Sequence, residues 1–127
     1  VAVKIAFDSA KGEVTCTSGA TTSAIINGVA DMQFEYGVGT AVNPQVVSSF
    51  IKTAPSTSQP VLAIRYTVLL RSAGVKLRES TTSDTALANW KAYTGAAAAA
   101  VTAMKAADAG NIYQVSQNTT MLRNIMP

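Results

Sequence analysis

Residues 28–38 read GVADMQFEYGV, a stretch in which apolar and polar side chains alternate. The even-numbered positions are all apolar: Ala30, Met32, Phe34, Tyr36 and Val38. The odd-numbered positions include the three polar side chains Asp31, Gln33 and Glu35. A period of two is typical of a strand that buries one face and leaves the other in solvent. The pattern therefore predicts a half-buried strand in an antiparallel sheet.

Residues 61–71, VLAIRYTVLLR, predict a second long strand with the same alternation. One face would carry Leu62, Ile64, Tyr66, Val68 and Leu70, and the other Arg65, Thr67 and Arg71 with Val61, Ala63 and Leu69. Asp31 and Glu35 would lie about 13 Å apart along the first strand, which is too far for a catalytic carboxylate pair. We expect both acids to meet Arg65 or Arg71 across neighbouring strands.

Three further segments predict strands, at residues 1–7, 13–17 and 111–120. The first two form a hairpin around the turn-rich residues 8–12. The polar residues 18–23 predict a loop, and so does most of the Ser-, Thr- and Pro-rich stretch 40–60.

Helical signals are fewer. An amphipathic turn is predicted near residues 45–52, and a helix over 86–93 with Leu87, Trp90 and Tyr93 toward the core. Thr94 is a candidate N-cap for a further helix over 95–108, with Gly110 at its C′ position. Together these elements predict an α+β fold, a mostly antiparallel sheet of four or five strands with one or two helices. Residues 1–127 would form a single domain.

The composition favours an assembly or exported protein over a nucleic-acid binder. Only 13% of the residues are charged and the net charge is +3. The ten Lys and Arg residues are scattered and form no basic run, so no nucleic-acid site is evident. Weakly charged surfaces rich in Ser, Thr and Ala suit exported proteins or subunits packed in an assembly.

Catalytic and metal-binding motifs are missing from the sequence. The chain has no histidine, which removes the usual general base and metal ligand. Cys16 is its single cysteine, so it can form neither an internal disulfide nor a zinc site. It is predicted to be a small buried residue or, in an exported protein, to pair outside this chain. We therefore predict no catalytic, metal or cofactor site and no enzymatic activity.

Three blocks of the sequence are informative together: residues 26–38 (INGVADMQFEYGV), 63–72 (AIRYTVLLRS) and 118–127 (NTTMLRNIMP). They resemble three blocks of PilW-type minor pilins of type IV pili, and they occur in the order in which that family has them. The positions that carry the match are Gly28, Asp31, Tyr36, Gly37, Arg65, Leu70, Arg71, Arg123 and Asn124. For these residues the resemblance implies roles that are mostly structural, within a pilin-like globular domain.

The sequence departs from the family pattern at several points. It begins at Val1 without the family's cleavage motif and long hydrophobic helix, and we expect it to be the C-terminal part of a longer chain. Ile125 stands where arginine is common, and the Ala96–Ala100 run has no counterpart in the pattern.

The resemblance implies a non-catalytic subunit that contributes to pilus assembly, to its priming and to a complex at the fibre tip. Its partners would be other minor pilins and the major pilin. An N-terminal helix would anchor it at the periplasmic face of the inner membrane before it enters the extracellular fibre. The candidate contact regions are the exposed sheet edge and the loops 40–60 and 73–85.

Two alternatives remain open at this point. One is a J-type pseudopilin of type II secretion, which would share the fold and differ in its partners. The other is an exported adhesin or ligand-binding module. Trp90 and Tyr93 form the only local aromatic cluster that could serve such a module.

Overall fold

The computed structural model describes residues 2–57, 59–78 and 85–122. Within these ranges the elements are β1 (Val3–Asp8), β2 (Glu13–Ser18), β3 (Thr21–Asn27), β4 (Val29–Val38), β5 (Ser49–Ile51), β6 (Val61–Arg71), α1 (Thr85–Thr94), α2 (Ala98–Ala106) and β7 (Tyr113–Met121). One sheet has the order β1-β2-β3 and the other has the order β5-β4-β6-β7. The predicted α+β class with a mostly antiparallel arrangement is confirmed.

The predicted count of four or five strands is too low, because the described residues contain seven. Strand β3 lies partly in residues 18–23, which were predicted to be a loop. It pairs antiparallel with β2 from Ser18↔Thr21 onward, and the hydroxyl groups of Thr17 and Thr22 are 2.8 Å apart across the pair. Threonine favours strands and cross-strand hydroxyl contacts, so a polar stretch can still form an edge strand.

Strand β5 replaces the helical turn predicted near residues 45–52. It pairs antiparallel with the end of β4, with Gly37 opposite Phe50. The Ser48 N–H and hydroxyl both donate to the Val38 carbonyl at 2.9 Å, which ties the segment to the strand. These bonds satisfy backbone groups that a short helical turn would have left without partners.

The helix predicted over 86–93 is confirmed as α1, but the predicted N-cap at Thr94 is wrong. Thr94 is the last residue of α1, and its hydroxyl donates to the Trp90 carbonyl at 2.7 Å. Gly95 follows with φ +63°, the left-handed conformation that ends helices, and its N–H donates to the Lys91 carbonyl. The second helix therefore begins later, at Ala98, and ends at Ala106 rather than reaching Asp108.

The chain divides into two compact units, of residues 1–32 with 68–116 and of residues 33–67 with 117–127. The core of the first unit is formed by Leu69, Leu87 and Trp90. Partly buried side chains pack around this cluster: Ala30, Ala96, Val101, Met104, Tyr113 and Val115. The second unit buries Val38, Leu62 and Ala63. The single domain expected over residues 1–127 stays a prediction.

Burial along β6 differs from the predicted one-sided pattern. Buried residues occur on both faces of the strand: Ala63, Thr67 and Leu69 on one, and Leu62 and Val68 on the other. In the first unit, Leu87 and Trp90 of α1 pack against Leu69. In the second unit, Phe50 and Ala63 both lie within about 3 Å of where a Cβ at Gly37 would be. Ala63 and Leu69 belong to one face, and the other face is buried at Leu62 and Val68, so β6 resembles a central strand more than a half-exposed one.

Candidate functional site

The junction between the start of β4 and the end of β6 holds two residues of the family motif. The Arg71 N–H donates to the Gly28 carbonyl at 2.7 Å. Gly28 has φ +72°, and a Cβ there would lie 2.9 Å from the Arg71 carbonyl oxygen. A side chain at position 28 would therefore meet both backbone strain and a steric clash. The sequence identified both residues, and the structure makes them neighbours through their backbones.

The turn between β1 and β2 is bound to the same junction. The Val29 N–H donates to the Gly12 carbonyl at 2.9 Å. The Asp8 carboxylate accepts hydrogen bonds from the N–H groups of Ala10 and Lys11, which fixes the turn as an Asx-type turn. This arrangement places Lys11 beside the first residues of β4.

Three cavities of about 200, 270 and 340 Å³ meet at Arg71, which lines all of them. We call the concave surface lined by Lys11, Gly28, Arg71, Asn111 and Tyr113 the Arg71 surface. Leu70, another motif residue, is half-buried and lines the third cavity. Among the residues of 2–57, 59–78 and 85–122 that line the three cavities there is no aspartate or glutamate, so these residues give the surface a positive charge.

The side chain of Arg71 is exposed, and no hydrogen bond or ion pair joins it to another of the described residues. The other two arginines in the described ranges both have acidic partners. Arg65 pairs with Glu35, and Arg78 pairs with Asp108. Arg71 is thus held by its backbone while its guanidinium stays available.

One side of the Arg71 surface is built by a hydrogen-bonded loop pair. The buried Asn111 side chain donates to the carbonyls of Ser72 and Gly74 at 3.0 and 2.9 Å. The carboxylate of Asp108 bonds to Arg78 and accepts from the N–H groups of Gly110 and Asn111. Sequence reasoning missed this loop, although an Asp followed by Gly and Asn is a signal for such turns.

The pKa of Asp108 follows from these contacts. Burial of the carboxyl acts to raise its pKa, but the Asn111 N–H, the Arg78 guanidinium and the Gly110 N–H act in the opposite direction. The net result is a pKa below the ordinary value of 3.8. Asp108 is therefore ionised at neutral pH and holds the loop through its charge.

Asp31 has a partner that the sequence did not predict. The Trp90 Nε1–H donates to an Asp31 carboxylate oxygen at 2.8 Å, and Trp90 is only 2% exposed. The acid predicted to lie in solvent is half-buried and helps to hold α1 on the sheet. Tyr93 is 46% exposed, so the two aromatic residues form no common binding face. This separation weakens the adhesin alternative.

Glu35 was predicted to meet Arg65 or Arg71, and its partner is Arg65. Arg65 Nε lies 2.7 Å from Glu35 Oε2, and the guanidinium carbon is 4.0 Å from the centre of the Phe50 ring. The side chains of Arg65 and Glu35 are 28% and 13% exposed, so the charges are largely removed from solvent. Tyr36 is half-buried opposite Ile51 on β5. This cluster contributes to packing.

The structure describes some of the remaining predicted features. Arg123 and Asn124 fall outside the described residues. Cys16 is a free, half-buried cysteine on β2. The described parts of the two candidate contact loops expose apolar side chains at Val42, Val46, Val75 and Leu77.

Metal binding and membrane-spanning helices are two further features that the described residues can show. Within residues 2–57, 59–78 and 85–122, no group of three His, Cys, Asp or Glu side chains could hold a metal ion. Nor does any helix in this part of the chain have the length and apolar character needed to cross a membrane.

Comparison with known proteins places the chain in one family. The sequence model of PilW, the type IV pilus-assembly protein W, matches residues 8–124. Of the strands and helices in the described residues, the match covers all but β1, of which it includes only Asp8. No curated protein and no solved structure matches the chain.

Proposed function

This chain belongs to the PilW family of type IV pilus-assembly proteins, and we propose that it acts there as a non-catalytic minor pilin. It joins other minor pilins and the major pilin in a complex that primes fibre assembly and stays at the tip. It works at the periplasmic face of the inner membrane before assembly and in the extracellular fibre afterwards. The observation that carries this proposal is the family match over residues 8–124.

The distribution of charged groups supports a role without catalysis. The acids at positions 31, 35 and 108 are each bonded to a tryptophan or arginine side chain. Their contacts hold α1, the β4–β6 pair and the loop at residues 108–111. Carboxylates that are bonded in this way stabilise the fold, and they are poorly placed to act on a substrate.

Exposed apolar side chains support a role in assembly. Val3 and Ile5 lie on the same face of β1 and are 61% and 55% exposed. Val42 and Val46, in the first candidate contact loop, are also exposed. Apolar groups of this kind are commonly covered in the assembled state of a subunit.

A genetic test separates the proposal from its alternatives. In cells that lack the full-length gene, we expect surface pili to be lost, as measured by the amount of major pilin sheared from cells. Expression of the wild-type gene should restore them. Normal piliation combined with a defect in protein secretion would overturn the proposal and favour the J-type pseudopilin.

A biochemical test examines the partners directly. The full-length protein is co-expressed with each minor pilin and the major pilin of the same system and purified in mild detergent. We expect at least one minor pilin to co-purify with it. Failure to retain any of these subunits would count against the minor-pilin role.

A further inference from the structure

The backbone of Arg71 is held in place at the end of β6, whereas its side chain is exposed. Its N–H is bonded to the Gly28 carbonyl at 2.7 Å, which fixes the position of the residue. Its guanidinium is exposed and makes no hydrogen bond or ion pair within residues 2–57, 59–78 and 85–122. A charged group on a fixed backbone loses less freedom on binding than one on a mobile loop.

The surroundings of Arg71 are concave and positively charged. The three cavities that it lines have volumes comparable to one or a few amino-acid side chains. Lys11 is the other charged residue among the described residues that line them, and Met104 and Tyr113 add apolar and aromatic surface. The nearby acids at positions 8 and 108 do not line the cavities, and both already accept backbone hydrogen bonds.

The charge and shape of the Arg71 guanidinium indicate which ligand group would bind there. A guanidinium presents two parallel N–H groups that match the two oxygens of a carboxylate. A nucleic-acid backbone would need a row of cations, whereas the described residues supply two cations to these cavities. Cavities of this size fit a single protruding side chain better than a polymer.

We infer that the Arg71 surface is a docking site for a side-chain carboxylate of another pilus subunit. The carboxylate binds the Arg71 guanidinium, and Lys11 adds to the attraction. The aliphatic part of the acidic side chain packs near Met104 and Tyr113. This inference rests on the proposed function, because it takes its partner from the pilus.

The test measures the affinity of the full-length protein for each co-purified subunit in detergent. We expect Arg71→Ala to weaken binding to one of them by about 10-fold and Arg71→Glu by more, with Arg71→Lys intermediate. Added salt should weaken the wild-type complex more than the Arg71→Ala complex. Lys91→Glu is the matched control, since Lys91 is exposed on α1 and lines none of the three cavities. Its affinity should stay within 2-fold of wild type.

A charge-reversal experiment identifies the partner group. Replacing one aspartate or glutamate of the bound subunit by lysine should restore binding to Arg71→Glu. Loss of binding on removal of the subunit's C-terminal residues, with no rescue by any acidic side chain, would overturn the assignment to a side chain.

The outcomes also separate this inference from the proposed function. If wild-type protein binds a pilus subunit and Arg71→Glu binds it equally well, the docking site is wrong and the minor-pilin role stands. If wild-type protein binds no subunit, both are overturned. The melting temperatures of the Arg71 variants and of Lys91→Glu should match that of wild type, so that a loss of binding cannot be a loss of folding.

Discussion

Arg65 and Arg71 lie on the same strand, β6, but the molecule uses them in opposite ways. Arg65 is bonded to Glu35 and packs against the ring of Phe50, so its charge is largely removed from solvent. Arg71 lies at the end of the strand, where its backbone is bonded and its side chain is exposed. Two arginines in the same family pattern can therefore serve stability in one place and recognition in another.

The largest expected effect is that of removing the Trp90 side chain, which is bonded to Asp31 on β4. Trp90 is buried in the core, so Trp90→Ala should lower the free energy of unfolding by about 3–5 kcal/mol. Tyr93→Ala on the same helix is the control, because Tyr93 is exposed, and it should change the free energy of unfolding by less than about 0.5 kcal/mol. Denaturant titration of both variants would show whether the two losses differ in this way. Equal losses would contradict the assignment of Trp90 to the core.

The backbone part of the Arg71 region can be tested through Gly28. Gly28→Ala should cost about 2–3 kcal/mol, because it combines a left-handed conformation with a clash against the Arg71 carbonyl. Gly19→Ala measures the cost of the left-handed conformation alone, since Gly19 has φ +60° and no atom lies within 4 Å of an added Cβ. It should cost about 1 kcal/mol. Similar losses in the two variants would mean that the contact with Arg71 contributes nothing.

The Arg65 side of the comparison can be examined with a double-mutant cycle. Glu35→Gln and Arg65→Met each remove the ion pair, and each should cost about 1–2 kcal/mol. The coupling free energy between them should be about 1 kcal/mol. A coupling free energy near zero would show that the close contact does not stabilise the fold.

The smallest expected effect is the pH dependence of the Arg78–Asp108 pair. The folded pKa of Asp108 is depressed, so the stability that it contributes is complete above the ordinary value of 3.8. That contribution should be lost as the pH falls through and below that value. Asp108→Asn should therefore show a weaker loss of melting temperature between about pH 5 and pH 2. Identical pH profiles for wild type and variant would contradict the assignment.

The sequence predicted the long strands well because their signal is local. The alternation over 28–38 and 61–71 indicated both strands. Opposite charges on neighbouring strands indicated that Glu35 pairs with an arginine, but they left Arg65 and Arg71 both open. The Trp90–Asp31 bond joins distant residues on different elements, and no periodicity encodes such a contact. The edge strands β3 and β5 are polar or short, so their formation depends on partners that a local pattern does not identify.

The candidate site was only partly predictable for the same reason. Arg71 was identified through the family motif, but the motif assigned it a mostly structural role. The folded chain distinguishes Arg71 from Arg65 and Arg78, because those two arginines have acidic partners and the Arg71 guanidinium has none among the described residues. The cavities depend on where the 8–12 turn and the 108–111 loop lie beside β6, which is a property of the folded chain.

Arg65 stabilises the fold, whereas the Arg71 side chain does not. The free energies of unfolding of Arg65→Ala and Arg71→Ala, measured by denaturant titration under identical conditions, distinguish the two. We expect Arg65→Ala to lower the free energy of unfolding by about 2 kcal/mol, because the largely buried Glu35 loses its partner. Arg71→Ala should change it by less than about 0.5 kcal/mol. Equal losses in the two variants would show that both side chains stabilise the fold to the same extent.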